Sequence, residues 1–141
     1  MKINMEKLNE GNPSKSNPSD YLLRASDVVK YYTSVYNNIK EGKANALKSI
    51  KQDGSEWRLK LQCAKYSHPL YMTKDSEGNI TKYPSASFGS KQEALDFFKD
   101  WLSDFRNGEK GIVDAVNEGY REYCKAKKLT QSLPDVFKEA V

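Results

Sequence analysis

The chain has 141 residues, 38% of them hydrophobic, which is enough to bury one core without disulfides or a metal. With 30% charged residues and a mean hydropathy of -0.81 it holds no apolar run near the roughly 20 residues that a bilayer span needs. The net charge is +4, and residues 1–51 hold nine Lys or Arg against five acids while residues 52–141 hold fourteen of each. This imbalance permits binding to nucleic acid or another polyanion without demanding it.

The first residues, 1–19, combine two Asn-Pro steps with Ser, Lys and Gly, offer little to bury, and read as a disordered or loosely held arm. Residues 20–141 then read as a single α+β domain. The N-terminal stretch lacks the continuous apolar segment of a secretory signal, so a cytoplasmic protein is expected. From Ser26, the residues Val28, Val29, Tyr32, Val35, Tyr36 and Ile39 trace one stripe of a helix, with Ser26 as cap and Gly42 as stop.

Ala44 to Lys51 fits either period but leads into Asp53-Gly54, a hairpin signal, so a strand is expected there. Trp57, Leu59, Leu61 and Cys63 alternate with Arg58, Lys60 and Gln62, the pattern of a half-buried strand. Leu70 to Lys74 and Asn79 to Tyr83 flank the polar turn Asp75-Ser76-Glu77-Gly78 and form a second hairpin. Pro84 confines the end of that strand to an edge or a bulge.

Ser90 and Glu93 form a capping box, with Phe88 as a nearby apolar contact, ahead of a helix to Arg106. Behind the box, Ala94, Leu95, Phe98, Trp101, Leu102 and Phe105 repeat the stripe of the first helix. Asp96, Asp100 and Asp104 line up on what reads as its solvated side. A third helix from about Lys110 to Lys127 turns Ile112, Val113, Val116, Tyr120 and Tyr123 inward, although Gly119 weakens it by roughly 1 kcal/mol relative to Ala. Ser132 and Pro134 announce a short last helix. The fold class is therefore α+β: an antiparallel sheet of three to four strands packed by amphipathic helices, with a helical C-terminal region.

Chemistry is sparsely signalled. Cys63 and Cys124 stand 61 residues apart without CxxC spacing, so two reduced thiols are expected and no zinc site. The one histidine, His68, precedes Pro69 in a loop and lacks a GxSxG partner, which argues for an ordinary exposed or loop-packed ring over a triad base. Neither GxxxxGK[ST] nor GxGxxG occurs. No catalytic residue, metal or cofactor is assigned.

Sheets that bind single strands combine positive charge for phosphates with rings on which bases stack. Arg58, Lys60, Lys65, Tyr66, Tyr71, Lys74, Lys82 and Tyr83 supply these types on the expected strands and loops. A further basic cluster, Arg121, Lys125, Lys127 and Lys128, suits the end of the third helix, where its dipole favours cations.

The segment SFGSKQEAL, Ser87 to Leu95, entering the second helix resembles a double-stranded RNA-binding domain. The resemblance implies a helix start whose lysines grip the RNA backbone. Lys91 fits that role, while Gln92 and Leu95 stand where further lysines belong. The order of four strands followed by one helix is similar to a unit of the Whirly and Pur-type single-strand binders, a likeness of element order alone. The expected function is a non-enzymatic nucleic-acid-binding protein, for RNA or single-stranded DNA, acting through a basic and aromatic sheet face. The alternative is a protein-interaction or inhibitor module, phage- or plasmid-encoded for instance, acting on a host machine or forming a homo-oligomer. Nine tyrosines, a residue type enriched at interfaces, speak for it.

Overall fold

In the computed structural model the described residues are 2–11, 25–43, 49–63 and 66–126. Residues 12–19 of the expected arm, the stretch 44–48 and the expected last helix lie outside them. Along the chain come a 3-10 turn at Met5–Lys7, β1 (Leu8–Asn9), α1 (Ala25–Lys40), β2 (Ile50–Asp53), β3 (Glu56–Leu59), β4 (Gln62–Cys63) and β5 (Tyr66–Ser67). They are followed by β6 (Tyr71–Lys74), β7 (Ile80–Tyr83), β8 (Ser85–Phe88), α2 (Lys91–Arg106) and α3 (Lys110–Ala126). The fold is α+β: a four-stranded antiparallel sheet in the order β1-β8-β3-β2, with β4-β5 and β6-β7 as separate two-stranded hairpins.

The helices form where the apolar periodicity places them. Val28, Tyr32 and Ile39 of α1 are fully buried, and Val29, Val35 and Tyr36 are half-buried beside them. The helix starts at Ala25, which puts Ser26 inside it instead of at its cap. In α2 the whole expected stripe is buried, and Ser90 caps the helix by accepting a hydrogen bond from the Glu93 N–H at 3.2 Å. α2 packs its stripe on β3 and β8, α1 packs against α2, and α3 against β6. Gly119 of α3 lies so close to the chain before α2 that a β-carbon there would collide with the His68 Cβ and the Ser67 carbonyl.

In the sheet, Leu59 pairs with Ile50 on one side and Ala86 on the other, so these three buried side chains form a continuous inner row. The residues of opposite parity, Lys51, Arg58 and Ser87, form a row on the outer face. The alternation from Trp57 holds through Leu61, but the ladder stops at Leu59 and β4 turns away to pair with β5. The hairpin turn is displaced by one residue from the Asp-Gly pair, because Asp53 pairs with Glu56 and leaves Gly54, at φ +63, and Ser55 as the central residues.

Two expectations need correction, and one strand was not expected. Residues 2–11 are not a loose arm: Ile3 and Leu8 are buried, β1 extends the sheet, and the Lys2 and Ile3 backbone N–H groups donate to the Asp104 carboxylate at 2.7–3.0 Å. Asp104 is accordingly 3% exposed and does not belong to a solvated aspartate row, although Asp96 is exposed as expected. Lastly, β8, a strand of small residues between Pro84 and the capping box, is an interior strand of the sheet. The strands between α1 and α2 divide among three sheets.

Candidate nucleic-acid interface

The structure scatters the residues that the strand pattern groups together. Arg58 lies on the outer face of β3, where its Nη1 pairs with Asp53 Oδ2 across the hairpin at 3.1 Å. Its Nε is buried with no hydrogen-bond partner. Lys60 is exposed just past the end of β3, its backbone N–H donating to the Ser49 carbonyl at 2.9 Å. Lys65 lies outside the described residues, and Tyr66 contributes its backbone to β5 opposite Cys63.

Tyr71, Lys74, Lys82 and Tyr83 sit on a different hairpin, β6-β7. Tyr71 is 8% exposed, its ring seated over Gly111 at the start of α3, where a β-carbon would collide with it. Its hydroxyl donates to Glu109 Oε1 at 3.3 Å. Burial first, and then the Glu109 carboxylate, push the phenol pKa above its ordinary value. Such a ring offers no face to a base, which corrects the stacking role expected of it. Tyr83 is half-buried against the core, its ring 6.4 Å from that of Tyr71. Lys82 pairs with Glu118 of α3 at 3.6 Å, and Lys74 is exposed at the end of β6 opposite Ile80. Lys91 is half-buried in the first turn of α2. The basic and aromatic residues therefore share no single sheet face.

His68 is 2% exposed and belongs to the core. Its Nδ1 faces the Pro69 carbonyl at 2.7 Å; because a carbonyl only accepts, that nitrogen carries the proton, and Nε2 accepts from the Tyr32 hydroxyl. The ring stacks on Trp101 at 5.9 Å, and Trp101 Nε1 donates to the Leu70 carbonyl at 2.9 Å. Burial lowers the imidazole pKa to about 4, outweighing the Pro69 hydrogen bond, which acts to raise it. This is the loop-packed ring that the sequence suggests, pinned between α1, α2 and α3.

Positive charge converges elsewhere, on the outer side of α1. An open groove of about 520 Å3 runs along this helix and is closed at one side by the last turn of α2. Val29 forms part of its floor; Lys30, Thr33, Ser34, Asn37, Asn38, Glu41 and Lys43 line it from α1 and the turn after it, and Arg106 from α2. Glu41 is the one acid in the lining and is engaged by Lys43 at 3.2 Å. Arg106 also complements the dipole of α2, being in its last turn. Lys30 and Lys43, two of the nine cations of residues 1–51, lie here.

The strand-centred reading missed this groove. A signal was present, since the stretch from Lys30 to Lys40 contains no acidic residue and its polar positions are Lys, Thr, Ser and Asn. By contrast the outward side of α2 carries Glu93 and Asp96. Only Arg106, which lies 63 positions beyond Lys43, could not be placed by any local pattern.

Among the described residues, no three His, Cys, Asp or Glu side chains gather as a metal site, and no helix is long and apolar enough to cross a membrane. Comparison with protein-family models, with curated proteins and with solved structures finds no match to this chain.

Proposed function

We propose that this chain is a non-enzymatic nucleic-acid-binding protein, acting in the cytoplasm, whose contact surface is the α1 groove and not the sheet. The observation that carries the reading is the lining itself: Lys30 and Arg106 with no acid against them, Lys43 paired with Glu41, and Thr33, Ser34, Asn37 and Asn38 interspersed. Lys and Arg with Ser, Thr and Asn are the side chains that contact phosphate and sugar oxygens. The volume falls in the range that accommodates a small ligand or one unit of a polymer.

The protein-docking alternative finds less support. β2, an edge of the sheet, is exposed at Lys51, Gln52 and Asp53, and a charged edge discourages strand addition. The exposed large hydrophobic residues among those described are Tyr31 and Ile80, on separate elements.

A salt titration of binding to a labelled oligonucleotide, followed by anisotropy, tests the reading. Affinity is expected to fall linearly in log–log form with salt, and Lys30→Ser and Arg106→Ser are each expected to reduce that slope by about 1. No binding at low ionic strength, or slopes unmoved by both substitutions, overturns it.

A further inference from the structure

We infer that Ser34, Asn37 and Asn38, in the middle of the α1 groove, read the sugar of the bound strand, so that the ligand is RNA and its 2′-hydroxyl is the group recognised. This rests on the groove reading above and adds to it which nucleic acid is bound. The three side chains follow Lys30 by four, seven and eight positions, which puts them with it on one stripe of the helix. From Lys30 to Asn38 that stripe runs for about 12 Å, the length of a few nucleotides of backbone.

Their hydrogen-bonding capacity is uncommitted. Thr33 Oγ1 donates to the Val29 carbonyl at 2.7 Å, whereas Ser34, Asn37 and Asn38 make no side-chain hydrogen bond among the described residues. Other asparagines have a task in the fold: Asn4 accepts from the Glu6 N–H at the 3-10 turn, Asn9 donates to Ser85 and Ser87 between β1 and β8, and Asn79 donates to Asp75 in its turn. No such task falls to Asn37 or Asn38. Asparagine is also a weaker helix former than alanine, so helix formation does not explain two of them side by side in α1.

The chemistry of the lining selects the ligand. Lys30 and Arg106 only donate, which suits phosphate oxygens, and a DNA backbone is composed of acceptors alone. A carboxamide also accepts through its oxygen, and a serine hydroxyl both donates and accepts, so the three central side chains are matched by a group that does the same. In a strand held by its phosphates the group adjoining each phosphate is the sugar, with the base edges directed away. The 2′-hydroxyl belongs to that sugar, is both donor and acceptor, and is what DNA lacks.

The experiment compares the full chain with Lys30→Ser and with a triple variant, Ser34→Ala, Asn37→Ala and Asn38→Ala, each checked for folding by circular dichroism. Alanine favours the helix, so the triple variant keeps α1. Binding of oligouridine, of oligodeoxyuridine of equal length and of the 2′-O-methyl form is followed by anisotropy at fixed low salt. The parent is expected to bind oligouridine roughly tenfold tighter than the deoxy strand, about the worth of one or two hydrogen bonds. It should also bind oligouridine tighter than the 2′-O-methyl strand, which no longer donates. The triple variant should lose both preferences, whereas Lys30→Ser should weaken the ribose and deoxy strands alike. If the parent binds those two equally while Lys30→Ser weakens both, the inference fails and the groove reading stands. A preference for oligouridine that survives in the triple variant puts the sugar contact elsewhere and overturns the inference. So does a 2′-O-methyl strand bound as tightly as oligouridine, because the hydroxyl proton is then not the contact. If the parent binds no strand at all, both readings fail.

Discussion

α1 faces two surroundings that treat polar groups in opposite ways. On its inner side Tyr32 enters a closed junction with His68, Phe98 and Trp101, where the hydroxyl, the imidazole and the indole N–H each find a partner inside the protein. On its outer side Lys30, Ser34 and Asn37 border an open groove. Polar atoms in the junction are there to be satisfied, because an unpaired one would cost stability. Polar atoms along the groove are not required by packing, and that is what makes them available to a ligand.

The largest test of this contrast is Trp101→Ala. It empties a fully buried site and orphans the Leu70 carbonyl, so urea denaturation should show a loss of about 3–5 kcal/mol. A loss below about 1 kcal/mol would mean that the junction does not hold the helices together.

Next in size is the protonation of His68. The unfolded chain takes up a proton near the ordinary pKa of 6.5, whereas the folded ring resists it down to about 4 because it is buried. Stability present above pH 6.5 is therefore lost as pH falls from 6.5 through 4, by about 3 kcal/mol in all, and changes no further below that window on this account. Carboxylates contribute as well, so the measurement is the difference between the parent and His68→Gln. The parent should lose more stability across the window, and parallel curves would show that the ring is not held neutral.

Gly119→Ala separates local preference from tertiary contact by its sign. Helix propensity alone predicts a gain of about 1 kcal/mol. The approach of His68 and the Ser67 carbonyl predicts instead a loss of roughly 1–3 kcal/mol, since the backbone of α3 must move away. A stabilised variant, read from its thermal midpoint, would show that α3 and the His68 loop separate readily. At the small end, Lys30→Ser should change stability by less than about 0.5 kcal/mol while weakening oligonucleotide binding, the mark of a residue the fold does not need.

Much of the fold was legible wherever one element records its own surroundings. The stripes of α1 and α2, the Ser90 capping box and the turn at Asp75 are local patterns, and each appears where the spacing puts it. In that turn the Asp75 carboxylate accepts from the Glu77 and Asn79 N–H groups, and these bonds, that of the Asn79 backbone first, hold its pKa below the usual carboxylate range. β8 was not legible, because Ser-Ala-Ser-Phe has no marked strand preference and becomes a strand through its neighbours β1 and β3. The strand residues grouped by the sequence pattern part company in the fold for a related reason. Alternation shows which side of a strand a lysine occupies, but not which sheet the strand will join.

By itself, then, the sequence determined the α+β class, the two main amphipathic helices and the hairpin at Gly78, since periodicity and capping act within a few residues. Only the tertiary structure decided that residues 2–11 join the sheet, that Asp104 is spent on their N–H groups, and that Arg106 meets α1 across the groove. Those contacts span up to 102 positions and arise from closing the chain around a shared core, which no local pattern encodes.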